Sequence, residues 1–399
     1  MKPTKPIEQT AAPGATSPFD ELNKWAQTAA AEKNGQLGFP GNQDIKLKDF
    51  YRWYVANGLI QVCLNNAGDP FCDNPGKLTS HRFEREVIEY FAPLYGFETD
   101  NVWGLVTNSG SDGNNHGIYF GNNFLKNKTG KDPVLYVSDE AHYSNMRLAH
   151  LQGIDTRLIK SDDMGRMIPE ELDKSLIPDR PCIIVFAMGS TFKGAIDDQN
   201  ALNAVLDRYP SMKVFRHVDA ALFGGYLPFT RHKDIVDRRI MRFDSIAVSG
   251  HKFFGMDEPA GLFITSRDVY ERQRQFNVAY LNEDMKMINC SRSSVDALKF
   301  WWLIRSISKE EWAEQANQML ENTGYLVDEL RKFNYPCWVN ELSNTVFIKR
   351  PPQEIVERYS LSCNYDERFG GPLAHIVVMQ HVTRERIDKF VEALKLSCK

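Results

Sequence analysis

FDSIAVSGHKFFG, residues 243–255, joins a strand, a turn and an awkwardly placed amine. Asp244 opens a run of small and β-branched residues, Ser245-Ile246-Ala247-Val248, which predicts a short buried strand. The run stops at Ser249-Gly250, and His251 and Lys252 then stand side by side ahead of Phe253-Phe254-Gly255. A lysine between a buried strand and two phenylalanines has few routes to water. Burying an ammonium without a partner favours its neutral form and lowers its pKa. A neutral lysine is a nucleophile suited to Schiff-base chemistry with an aldehyde. The same dipeptide also fits a strand-end lysine that snorkels to solvent, so its meaning rests on the rest of the chain.

Composition sets wide bounds around that stretch. The chain has 399 residues, 42% hydrophobic and 25% charged, enough for one large domain and a smaller one. A net charge of −4 gives no electrostatic pull toward nucleic acid or an anionic membrane. The 7 cysteines are odd in number and lack CxxC spacing, which predicts neither a metal site nor a disulfide framework. A reducing, cytoplasmic compartment fits that usage. Residues 1–18 read as a flexible polar arm without the apolar core of a secretory signal. No apolar run is long enough to span a bilayer. The expected divisions are an N-terminal helical segment at 19–80, a large domain at 81–306 and a small C-terminal domain at 307–399.

Upstream of the lysine, strand and helix patterns alternate from Val102 to Val218, which predicts an α/β layer with a mostly parallel sheet. Ligands on such sheets collect beyond the carboxyl ends of the strands. The polar residues of interest fall at those ends: Asn108 to Ser111, His142, Ser190-Thr191, Asp219 and His251-Lys252. Val102–Val106 runs into Thr107-Asn108-Ser109-Gly110-Ser111-Asp112-Gly113 and then a helix. Such a turn is either a phosphate cradle of free N–H groups and serine hydroxyls or simply a capped helix start. Leu47–Leu64 reads as a helix, residues 277–292 as a long loop of the kind that is usually functional, and the end of the chain as a small α+β unit.

Asp219 closes an apolar strand in His217-Val218-Asp219-Ala220-Ala221, 33 residues before the lysine. A strand-end carboxylate can hold a proton on a heterocyclic nitrogen. A lysine on a nearby strand can hold the same ring by an imine, and a phosphate cradle its third corner. Those demands match pyridoxal 5'-phosphate (PLP), which needs its ring nitrogen protonated to draw electrons from Cα. Ala221 has no bulk to keep the ring from lying flat, and His142 can stack on the opposite face. SGHKFFG, HVDAALFGG, DEAHYSN, GSTFKGAIDD and TNSGSDGN together resemble the PLP-dependent group II amino-acid decarboxylases, especially the bacterial histidine decarboxylase and plant serine decarboxylase branch.

The resemblance implies the PLP-dependent transferase-like architecture of aspartate aminotransferase, fold type I, and a homodimer whose subunits share each site. It implies roles as well. Lys252 resembles the Schiff-base lysine, Asp219 the pyridinium partner and His142 the ring-stacking histidine. Ser109, Gly110, Ser111, Ser249 and His251 look like phosphate ligands, and Ser190 and Thr191 match residues near the cofactor's phenolic oxygen or the leaving carboxylate. Tyr280 sits where the family places a mobile catalytic segment that protonates the carbanion. Phe39, Asn65 and His81 are candidate substrate contacts. The chain departs from the family at Asn289-Cys290-Ser291-Arg292, at Phe39 and at the acids Asp257-Glu258, which would favour a cationic substrate end if they lined the pocket. The expected activity is decarboxylation of an L-amino acid to its amine, histidine first and serine second. The alternatives are transamination or oxidative decarboxylation–deamination on the same scaffold, or a non-catalytic PLP-fold partner protein.

Overall fold

The computed structural model describes residues 17–72, 76–279 and 283–397. A capping box at Ser17 starts α1 (Pro18–Glu32), which buries none of its residues. Helix α2 (Lys48–Ala56) is shorter than the expected Leu47–Leu64, because Asn57 ends it and Gly58 turns left-handed at φ 70°. After β1 (Asn66–Ala67), α3 (His81–Phe91) buries Val87, Ile88 and Phe91 along one face.

Alternation then follows the predicted pattern: β2 (Val102–Thr107), α4 (Gly110–Thr129), β3 (Val134–Ser138), α5 (Ser144–Leu151), β4 (Asp155–Ile159), α6 (Pro169–Ser175), β5 (Cys182–Ala187), α7 (Gln199–Asp207) and β6 (Val214–Asp219). Two short helices, α8 (Phe223–Tyr226) and α9 (Arg238–Met241), lead to β7 (Ser245–Ser249) and β8 (Gly261–Ser266). These strands form one seven-stranded sheet in the order β2-β8-β7-β6-β5-β3-β4. Strands β3 to β7 run parallel, and β8 is antiparallel to both of its neighbours. The inner strands are buried on both faces, as their near-continuous apolar runs require.

Helix α4 lies close over this sheet because Gly113, Gly117 and Gly121 recur every fourth residue. A Cβ at Gly113 would stand 2.8 Å from Ala247 Cβ, and one at Gly117 2.3 Å from the His217 ring. On the other side, Phe253 and Phe254 pack against Trp312, each at 5.5 Å between centroids. Burying two such rings is worth about 2 kcal/mol each, and it anchors the turn that carries Lys252.

After α10 (Arg267–Glu271), residues 277–292 are not the irregular loop expected. β9 (Phe276–Val278) and β10 (Glu283–Met285) pair antiparallel, and Asn277 Nδ2 donates to Asp284 Oδ1 across them. β11 (Ser291–Arg292) then returns to pair with β1. Helices α11 (Ser294–Ser306) and α12 (Lys309–Lys332) precede a four-stranded antiparallel sheet. That sheet contains β12 (Cys337–Val339) and β13 (Thr345–Lys349), then, beyond α13 (Gln353–Arg358), β14 (Ser362–Asp366) and β15 (Gly371–Val377). Helix α14 (Arg384–Ser397) closes the chain. The Leu37 carbonyl accepts from Val377 N–H and its own N–H donates to Tyr359, so residues 36–38 lie against this small sheet.

Candidate active site

A cavity of about 600 Å³ opens at the carboxyl ends of the central strands. It is lined by Ser109, Gly110 and Ser111, by His142, Ser190 and Thr191, and by Asp219, Ala221, Ser249, His251 and Lys252. Every candidate cofactor residue is therefore brought to one place. Phe39 lines the same cavity from the N-terminal segment, and Ser362, Cys363, Asn364 and His375 line it from the small sheet.

Asp219 ends β6, one strand from β7, whose last residue, Ser249, leads into the Lys252 turn. Its Oδ2 accepts from Asn114 Nδ2 at 2.8 Å and from Asn145 Nδ2 at 3.0 Å. Oδ1 accepts only a long 3.4 Å bond from Ala221 N–H. A carboxylate only accepts, so Asn114 must turn its amide toward Asp219 and its carbonyl toward His217 Nε2, 3.0 Å away. His217 therefore carries its proton on Nε2, and Nδ1 accepts from Ser245 Oγ at 2.8 Å. Full burial holds the His217 pKa well below its ordinary value, so the ring stays neutral. The relay His217–Asn114–Asp219 fixes the carboxylate without neutralising it.

Desolvation lowers the Lys252 pKa, and the Asp219 charge acts against that fall. Burial likewise lowers the His142 and His251 pKa values. His142 Nδ1 lies 2.6 Å from Ser144 Oγ, which fixes the ring at the cavity wall. Ser109 caps α4 by accepting from Asp112 N–H. A Cβ at Gly110 would come within 2.2 Å of Ser249 Oγ, so only glycine lets the first turn of α4 approach β7. That helix end, with the hydroxyls of Ser109, Ser111 and Ser249, is a ready anion cradle. Asn114 and Asn145 are the Asp219 partners that residue-by-residue reading passes over. Both lie inside quoted motifs, TNSGSDGN and DEAHYSN, but nothing local in sequence ties an amide to a carboxylate 74 or 105 residues away.

Two expected substrate contacts are not at the cavity. Asn65 Nδ2 donates to Ser291 Oγ, and His81 is buried beside Glu84 and Arg292 with its pKa lowered by burial. β1–β11 pairing lies beside this segment and joins it to Arg292 and Glu84. Asp257 and Glu258 also miss the cavity. They form ion pairs with the buried Lys299, so the departure that introduced two acids is balanced by a cation from α11. Asn289 Nδ2 donates to Asp112 Oδ1 at the start of α4. Tyr280 lies outside the described residues.

A parallel-sheet layer with a lysine, a carboxylate and an anion cradle at its strand ends is the arrangement of a PLP enzyme. The family model described as "Pyridoxal-dependent decarboxylase conserved domain" matches residues 121–345. Serine decarboxylase 1 of Oryza sativa subsp. japonica is 32% identical, over 90% of this chain and 71% of its own. The histidine decarboxylase of Solanum lycopersicum is 31% identical, over 94% and 87%. L-methionine decarboxylase from Streptomyces sp. 590 superposes with a TM-score of 0.81 at 20% identity, covering 96% of both chains, and so shares the fold.

The chain belongs to the pyridoxal-dependent decarboxylase family. It is a PLP-dependent amino-acid decarboxylase, a carboxy-lyase of fold type I. The residues present fit that cofactor. Oδ1 of Asp219 is a buried acceptor that takes one long bond, the group a protonated ring nitrogen needs, and the Gly110 approach shapes a phosphate site.

Proposed function

We propose that the chain converts an L-amino acid to its amine, with histidine the first substrate and serine the second. Relatives named for each activity support both as candidate substrates. The observation that carries the proposed roles is the presence of Asp219 and Lys252 in one cavity, with the Asp219 charge acting on the lysine. Bound there, PLP supplies an electron sink for the bond between Cα and the carboxylate.

Lys252 would provide the amine that holds the cofactor; desolvation lowers its pKa and favours the neutral, nucleophilic amine. Asp219 keeps a proton on the ring nitrogen, held in place by Asn114 and Asn145. Ser109, Gly110, Ser111, Ser249 and His251 hold the phosphate. His142, in the cavity wall, would hold the ring by stacking and stand near the substrate carboxylate as a neutral imidazole, a state its burial favours. Ser190 and Thr191 bound the cavity near the same carboxylate, and Tyr280 returns the proton to Cα. The protein acts as a cytoplasmic homodimer. The large apolar residues Phe19, Leu22 and Trp25, exposed along α1, support a second copy as their cover. No helix among the described residues is long and apolar enough to cross a membrane.

A panel of L-amino acids assayed for carbon dioxide and amine tests the substrate order. Histidine turnover above serine is the expected result. Aldehyde or keto acid in place of amine would instead mark oxidative decarboxylation–deamination or transamination.

A further inference from the structure

His375 lies on β15, and both of its ring nitrogens face backbone carbonyls. Nδ1 is 2.9 Å from Phe192 O and Nε2 is 3.0 Å from Gly38 O. A carbonyl oxygen only accepts, and a neutral imidazole carries a single N–H. A neutral ring would therefore set a nitrogen lone pair against one of the two oxygens. Only the imidazolium makes both bonds. We propose that His375 is a positioning residue, held as an imidazolium strap that ties two walls of the active-site cavity to the small sheet.

Each strapped segment leads directly to the cavity. Gly38 O also accepts from Ser362 Oγ at 3.1 Å, and a Cβ at Gly38 would stand 2.2 Å from Ser360 O, so this stretch is laid tightly on the small sheet. The next residue, Phe39, lines the cavity with 54% of its surface exposed. On the other side, Phe192 follows Ser190 and Thr191. Its ring stacks on the imidazole at 4.7 Å and 18°, a geometry that favours a cation.

Other buried histidines show the contrast. His381 Nδ1 accepts from Gln43 N–H while Nε2 donates to Gln36 O, and His217 accepts from a hydroxyl, so both are satisfied when neutral. Burial outweighs the two carbonyls and lowers the His375 pKa below the ordinary imidazole value, while the carbonyls oppose that fall; no charged group figures among the influences on its titration. The residues across from it on β13 and β14 are Phe347 and Ser362, which do not titrate. Below its pKa the strap holds both walls. Above it, one carbonyl is released and the Phe39 or Thr191 wall loosens.

The test is nitrogen-15 NMR of the full-length holoenzyme labelled at histidine, with His375→Gln to assign the signal. At a pH of about 5, well below histidine's ordinary value, both His375 ring nitrogens are expected to carry protons. A ring with one bare nitrogen at that pH overturns the proposal. The side chain of His375→Gln reaches one carbonyl only. Loss of one bond should raise KM by about tenfold while kcat changes little, and should remove the His375 step from the pH profile of kcat/KM. Unchanged KM with an unchanged profile overturns it equally. Should that variant fail to fold, the unmutated enzyme is assigned by elimination from histidine variants outside the cavity. The kinetic arm rests on the decarboxylase reading; the nitrogen shifts do not, so a wrong substrate assignment leaves them interpretable.

Discussion

Two buried carboxylates, Glu84 and Asp219, sit in one protein under opposite conditions. Glu84 is saturated: Oε1 accepts from Val106 N–H, Oε2 accepts from Asn66 Nδ2, and Arg292 binds both oxygens through Nε and Nη2. Asp219 is held by two neutral amides on one oxygen and by a single long bond on the other. A carboxylate that a guanidinium already neutralises has little left to offer a ligand, and its value is architectural. A carboxylate fixed by dipoles keeps its charge for use. Burial alone therefore does not distinguish structure from function; how the charge is spent does.

The largest effect should come from breaking the saturated pair. Arg292→Met leaves Glu84 charged and unpaired, and chemical denaturation should show a loss of about 3–5 kcal/mol, with the surviving folded enzyme retaining its kcat. Asp219→Asn should do the opposite, lowering kcat/KM by about a thousandfold, or about 4 kcal/mol, while the unfolding midpoint moves little. If both variants lose mainly stability, the contrast fails.

Acid should also act on stability. His381 is pushed down to about 4 by burial, and His217 is lowered for the same reason. Between histidine's ordinary value of about 6.5 and 4, the unfolded chain binds these protons and the folded one does not. Stability should thus fall as pH drops through that window, by about 3 kcal/mol for His381 alone, measurable as a falling denaturant midpoint. Gly117→Ala should cost about 2 kcal/mol by driving a methyl into the His217 ring. His217→Phe is the mildest. It leaves Asn114 Oδ1 without its donor, and kcat should drop about tenfold with the carboxylate itself intact.

The short apolar runs, their alternation with helices and the Lys252 turn were readable in order along the chain, because strand burial and helix period are local properties. So were the strand-end positions of Lys252, Asp219 and the Ser109–Ser111 turn, which the structure brings to one cavity. Where Asn65 and His81 would lie was not legible, because the β1–β11 pairing beside them and their distance from the cavity are set by tertiary packing. The partners of Asp257 and Glu258 were equally hidden, since Lys299 lies on a helix that only packing brings near. Gly113, Gly117 and Gly121 did carry a legible signal, a small residue every fourth position, which marks close helix–sheet contact.

By itself, the sequence determined an α/β sheet and the chemical types gathered at its strand ends, because alternation and side-chain chemistry are written residue by residue. Tertiary structure alone decided which buried charges are spent and which are kept. That depends on hydrogen-bond partners from distant segments, such as Asn145 for Asp219 and Arg292 for Glu84, and on the fixed directions in which carboxylates accept and amides donate.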